Sequence, residues 1–134
     1  MTGITALLLF AAWTLVLMFV YVGYRVVLVL AMKKKADSWG RDDKNDDPAL
    51  IIRAKHAHLN ALENLPVFAA IVVAAVALDK APVVDQVGMW VLAARLAQST
   101  VHLIGVNHWL VFIRANFLLV QAALFAYMIW GLLQ

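Results

Sequence analysis

Long apolar runs alternate with short polar interruptions along the chain, and the run lengths set the elements. From Ile4 to Tyr24 there are 21 residues without a formal charge. At about 1.5 Å per residue this crosses a hydrocarbon core of about 30 Å. Arg25 interrupts the run and Val26 to Met32 resumes it, which predicts a first helix over about 4–32. Arg25 is then expected to snorkel to the interface beside Tyr21 and Tyr24. A polar loop follows, Lys33 to Asp47, and Asp47-Pro48 reads as an N-cap with proline at the first helical position. The second helix, about 48–78, has a basic and polar first half and an apolar second half, Leu65 to Leu78. Asp79 and Lys80 make a turn, and Ala81-Pro82 opens a third helix over about 82–104. Gly105 to Trp109 is another turn, and the fourth helix spans about 110–133. Such short connections favour antiparallel neighbours. Residues 1–134 are thus expected to form a single all-α domain, a bundle of four transmembrane helices with no internal repeat.

Composition narrows the setting. The chain of 134 residues is 65% hydrophobic and 14% charged, against about 45–50% and about 25% in soluble domains. With its mean hydropathy of +0.86, it has too few charges to cover a soluble globule, and intrinsic disorder is excluded by the same figures. A signal peptide fits the first run poorly, because no basic segment precedes it and it exceeds a normal apolar core of such a leader. There is no cysteine, so disulfides, thiolate metal sites and cysteine nucleophiles are excluded. The formal net charge of +3 sits in a few clusters and does not suggest nucleic acid. Lysine and arginine orient the bundle. The first loop carries Lys33, Lys34, Lys35, Arg41 and Lys44, with Arg53 and Lys55 just beyond, whereas the second connection has Lys80 alone. The first loop is therefore expected to be cytoplasmic, with both termini on the opposite side.

Polar side chains at membrane depth are costly unless they face protein or water, so each is a candidate for function. In the second helix Arg53, His56, Asn60 and Glu63 fall at about 0°, 300°, 340° and 280°, one stripe roughly 80° wide. Lys55 and His58 lie away from it. Pro66, three residues after Glu63, predicts a local kink. In the third helix Arg95, Gln98 and His102 repeat the stripe at about 0°, 300° and 340°, with Ser99 near 40°. The fourth helix places Arg114 and Gln121 seven residues apart on one face, with Asn116 elsewhere. The plain alternatives are interhelical hydrogen bonds for Asn60, Gln98 and Ser99, interfacial anchoring for Arg53 and Arg114, and a packing ion pair between Glu63 and Arg95.

Several arginines suit carboxylate or phosphate groups, and a lone carboxylate beside an Asn amide suits an ammonium. A ligand with two carboxylates, an ammonium and a thiol, as in glutathione, fits this inventory, and so do other small zwitterionic or anionic molecules. A metal site is disfavoured, because His56 and His58 point about 200° apart and a helix end separates His102 from His108. No glycine-rich phosphate loop or serine nucleophile motif is present.

The segment from Arg53 to Phe68 resembles the signature of the MAPEG family, the membrane-associated proteins in eicosanoid and glutathione metabolism. The pattern Asn-x-x-Glu-x-x-Pro, with Arg seven residues before the Asn, is matched by Arg53, Asn60, Glu63 and Pro66. The length and the four-span layout are also similar. The resemblance implies a homotrimer of four-helix protomers with glutathione as co-substrate, held between protomers near the cytoplasmic side. It implies Arg53, Asn60 and Glu63 as glutathione-binding residues, with Glu63 receiving the ammonium, and Arg95 as the third-helix arginine of the same site. His56 stands where members commonly have arginine, Gln98 where they often have histidine or tyrosine, and His102 where they often have tyrosine. Arg114 is the nearest counterpart of the thiol-activating arginine, a few residues farther from His102 than in the family. The implied activity is a membrane-bound glutathione-dependent transferase or peroxidase acting on lipophilic electrophiles, with membrane lipids as surroundings. Two alternatives stand beside it: a non-catalytic lipid-binding member, and a small four-helix exporter built around Glu63.

Overall fold

The computed structural model describes residues 1–40 and 46–134. Arg41, Asp42, Asp43 and Lys44 of the first loop's charge pattern lie outside them. The described residues fold as α1 (Gly3–Leu30), α2 (Ala49–Ala77), α3 (Ala81–Asp85), α4 (Gly88–Ile104) and α5 (His108–Leu133). α1, α2, the α3–α4 stretch and α5 are each long and apolar enough to cross a membrane. Adjacent spans run antiparallel. The first loop and the α4–α5 turn therefore share one end of the bundle, and the α2–α3 turn shares the other with both termini. The core lies where α1, α2 and α4 meet, around Phe10, Phe68, Val72 and Val91, with Phe125 and Met128 of α5 closing one side.

Several helix ends differ from the sequence expectation, and at two of them a side chain finds a distant partner. Asp47 does not cap α2, which starts at Ala49 with Pro48 as N-cap and no side-chain cap bond. Its carboxylate instead accepts from Arg25 Nε and Nη2 at 3.0 and 2.7 Å and from Trp39 Nε1 at 3.0 Å. Arg25 lies beside Tyr21 as expected, and takes Trp39 as its second ring in place of Tyr24. It is held over the Tyr21 and Trp39 rings, at 5.5 and 5.1 Å, as a strap fastening the loop to α1. On the surface, Lys34 hydrogen-bonds Asp46, which holds that carboxyl below its usual pKa.

The third span is not one continuous helix over 82–104, since Gln86 and Val87 form a turn between α3 and α4. Val83, Val84, Val87 and Gly88 are all weak helix formers, and Asp85 accepts a bond from the Gly3 amide at 2.6 Å. α5 starts two residues earlier than expected, at His108, because the Asn107 side chain caps it by accepting from Leu110 N at 2.9 Å. α2 remains helical through Pro66.

α1 and α2 end alike. In α1 the Lys33 amide bonds the Leu28 carbonyl and the Met32 amide that of Val29; in α2 the Lys80 amide bonds Ala75 and the Asp79 amide Val76. This is the Schellman pattern, with Met32 (φ 53°) and Asp79 (φ 55°) at the left-handed position usually given to glycine.

Where α3 meets its neighbours the approach is close. A Cβ on Gly3 would lie 2.6 Å from Val84 Cγ2, and one on Gly131 would lie 2.9 Å from Val83 Cγ1. α3 is thereby wedged between the start of α1 and the end of α5. On the same side Lys80 Nζ donates to the Leu132 carbonyl at 2.9 Å.

Candidate functional site

Antiparallel packing of α2 on α4 sets the depths of the polar stripes. Arg53 Nε donates to the Leu103 carbonyl at 2.9 Å, and the His56 and His102 rings lie 6.2 Å apart. Further along the pair, the Glu63 charge acts on Arg95. From the Arg53 level to the Glu63 level is ten residues of α2, about 15 Å. Arg114, half-buried near the start of α5, completes the end nearest the first loop. Its charge acts on the His102 imidazole together with those of His56 and Arg53. The structure thus brings Arg53, His56, His102 and Arg114 to one end of the α2–α4 seam, and places Glu63 and Arg95 deeper.

The two stripes differ in cover. On α4, Arg95 is fully buried, and Gln98, Ser99 and His102 are at most 5% exposed. On α2, Glu63 and His56 are exposed in the protomer, and Arg53 and Asn60 are half-buried. Glu63 lies fourteen residues from either end of α2 and is exposed at the side of the protomer.

Arg95 is the most unusual side chain of the set. Its guanidinium lies over the Phe10 ring at 5.2 Å, while Nε and Nη2 have no hydrogen-bond partner. No ion pair joins it to Glu63. Ser99 Oγ, one turn along the same face, is also buried without a partner. A buried cation needs hydrogen-bonding partners to offset its lost hydration. Phe10 went unnoticed in the sequence because nothing distinguishes it within the apolar run of α1.

Gln98 and Gln121 are drawn partly away from this seam. Gln121 Nε2 donates to Gln98 Oε1 at 2.8 Å and to the Phe117 carbonyl at 3.2 Å, joining α4 to α5 as an interhelical bond. The Asn60 amide side chain makes no hydrogen bond, and its backbone carbonyl accepts from Asn64 Nδ2. His58, off the stripe, is buried with Nδ1 at 3.0 Å from the Thr14 carbonyl and serves the α1–α2 contact. Among the described residues no three His, Asp or Glu gather as a metal site.

Chemically, the seam presents cations at its loop end and a carboxylate beside a desolvated guanidinium farther in. Such an arrangement suits an elongated zwitterion carrying anionic groups and one ammonium. An apolar groove of about 590 Å³ lies at the other end of the bundle, between the last turns of α2 from Pro66 on and Ile129–Leu133 of α5, away from these polar groups. A family model described as the MAPEG family matches residues 3–134, essentially the whole chain. No curated protein and no solved structure matches it.

Proposed function

The chain belongs to the MAPEG family, whose members are membrane proteins of glutathione and eicosanoid metabolism, and on that premise we propose a glutathione-dependent transferase or peroxidase acting on lipophilic electrophiles. One observation carries the reading: the buried Arg95 guanidinium, without hydrogen-bond partners at Nε and Nη2, within the field of a Glu63 carboxylate exposed midway along α2. A charged group on the lipid-facing side of a lone protomer is costly. A second protomer and a zwitterionic ligand together remove that cost. The proposed assembly is accordingly a homotrimer with glutathione between protomers, the first loop on the cytoplasmic side and both termini opposite.

In this reading Glu63 receives the γ-glutamyl ammonium, assisted by Asn60. Arg53, His56, Gln98 and His102 bind the remaining polar groups, and Arg95 orients Glu63 and the adjacent carboxylate. Free thiols titrate near about 8.5, and a neighbouring cation raises the thiolate fraction at neutral pH. Arg114 is assigned that role. The thiolate attacks the electrophilic carbon of a substrate arriving from the bilayer, the sulfur–carbon bond forms, and the leaving group departs with its electron pair. The thiol proton is released to water at the loop end.

The test uses the purified full-length protein with glutathione and a chlorodinitrobenzene-type electrophile. Conjugation is expected, with Arg114→Ala lowering kcat about 100-fold, the usual scale for losing an electrostatic stabiliser, and changing glutathione affinity little. Unchanged turnover in Arg114→Ala removes that residue from the mechanism. Absence of glutathione binding by calorimetry overturns the whole assignment.

A further inference from the structure

A second ligand surface lies outside the polar seam, where α1 meets the first loop. A groove of about 370 Å³ runs along the last turns of α1, with Val22, Val26 and Val29 as its floor and Ala36, Trp39 and Arg25 as its loop-side wall. The three valines fall at about 0°, 40° and 340° on the helix, so the floor is a straight apolar track parallel to the helix axis. Val26 is 47% exposed and Leu30, at the rim, 78%. The wall is preformed, because Trp39 is fixed by its bond to Asp47 and by the Arg25 guanidinium stacked on it.

The rim of this groove is cationic. Lys33, Lys34 and Lys35 lie in the chain between Leu30 and Ala36, both of which line the groove. Arg25 is neutralised by Asp47, and Lys34 by Asp46. Lys33 and Lys35 are exposed and make no side-chain hydrogen bond or ion pair. Among the described loop residues Asp37 is the one unpaired carboxylate, which leaves the rim a surplus positive charge. An apolar track with an indole wall at the membrane–water interface, headed by two unpaired lysines, is complementary to an acyl chain bearing an anionic headgroup.

We propose that this groove binds one acidic phospholipid per protomer, with an acyl chain along Val22–Val29 and the phosphate at Lys33 and Lys35. The groove shares no lining residue with the α2–α4 seam, and the proposal does not depend on the catalytic reading.

The full-length protein, stripped of lipid in detergent, is titrated with phosphatidylglycerol or with phosphatidylcholine of the same acyl chains, and bound lipid is counted by native mass spectrometry. One phosphatidylglycerol per protomer is expected. Its preference over phosphatidylcholine should fall about fivefold for each of Lys33→Gln and Lys35→Gln. Val26→Trp, which fills the track, should lower retention of both lipids, with far-UV circular dichroism confirming an intact bundle in every variant. Equal retention of the two lipids by the wild-type protein, or unaltered binding in all three variants, overturns the proposal. So does displacement by inorganic phosphate alone, which marks a plain anion site. A change of oligomeric state in Val26→Trp marks the groove as a protein interface and has the same consequence.

Discussion

The polar stripes of α2 and α4 share a period and a composition but have opposite surroundings. The α4 stripe is sealed inside the protomer, with Arg95 at 0% exposure, while the facing α2 stripe leaves Glu63 and His56 open at its side. α4 packs on α1, α2 and α5 along the side that carries its stripe, so those polar groups must be accommodated internally, while Trp90 and Ile104 on its other side stay exposed. α2 packs mainly on α1 and α4, and more lightly on α3 and α5, and leaves the side that carries Glu63 and His56 uncovered. Identical amphipathic periodicity therefore yields a buried, partly unsatisfied network in one helix and a surface awaiting a neighbour in the other. In water an exposed carboxylate needs no explanation, but in a bilayer it requires a covering partner.

Substitutions across the two stripes separate these roles. Arg95→Met should reduce glutathione affinity by about 100-fold or more, the scale of breaking a buried charged contact. The ligand-free protein should become no less stable in thermal unfolding, because a guanidinium lacking partners is removed. Destabilisation of the ligand-free protein would show that Arg95 is satisfied within the fold and would break the comparison. Glu63→Gln should weaken glutathione about tenfold, about 1.4 kcal/mol, with the unfolding midpoint unmoved.

Gln121→Leu should cost about 1 kcal/mol of stability, as an interhelical hydrogen bond in a membrane does. The double replacement Gln98→Leu with Gln121→Leu should cost less than the single one, since neither amide is then left alone. A double variant worse than the single would place Gln98 in some further contact. Smallest is the contrast between neighbouring histidines. His58→Ala should lose about 1 kcal/mol with its bond to the Thr14 carbonyl, whereas His56→Ala should leave stability unchanged and affect only ligand binding.

The four spans were legible because run length is what a bilayer demands of a helix, and Ile4–Tyr24 or Leu110–Leu133 satisfies that demand without reference to the rest of the chain. Helix ends were less so. Asp47 carries every local mark of an N-cap, yet Arg25 and Trp39 claim its carboxylate from elsewhere in the chain. The turn at Gln86–Val87 goes with a contact from Asp85 to Gly3, 82 residues away. The stripes were legible from spacing, since 100° per residue is a local property. Which stripe faces inward was not, because that depends on which side of each helix its neighbours cover. The Phe10 ring under Arg95 had no local signature at all.

The wedge formed by α3 bears on how the bundle can move. With Val83 against Gly131 and Val84 against Gly3, that end acts as a fulcrum, and displacement grows with distance from it. Arg114 lies seventeen residues up α5 from Gly131, about 26 Å, so a tilt of about 5° carries it through roughly 2 Å. The lever arm thus converts a barely perceptible swing of α5 into a shift that, in the proposed site, would decide whether Arg114 touches a ligand sulfur or misses it.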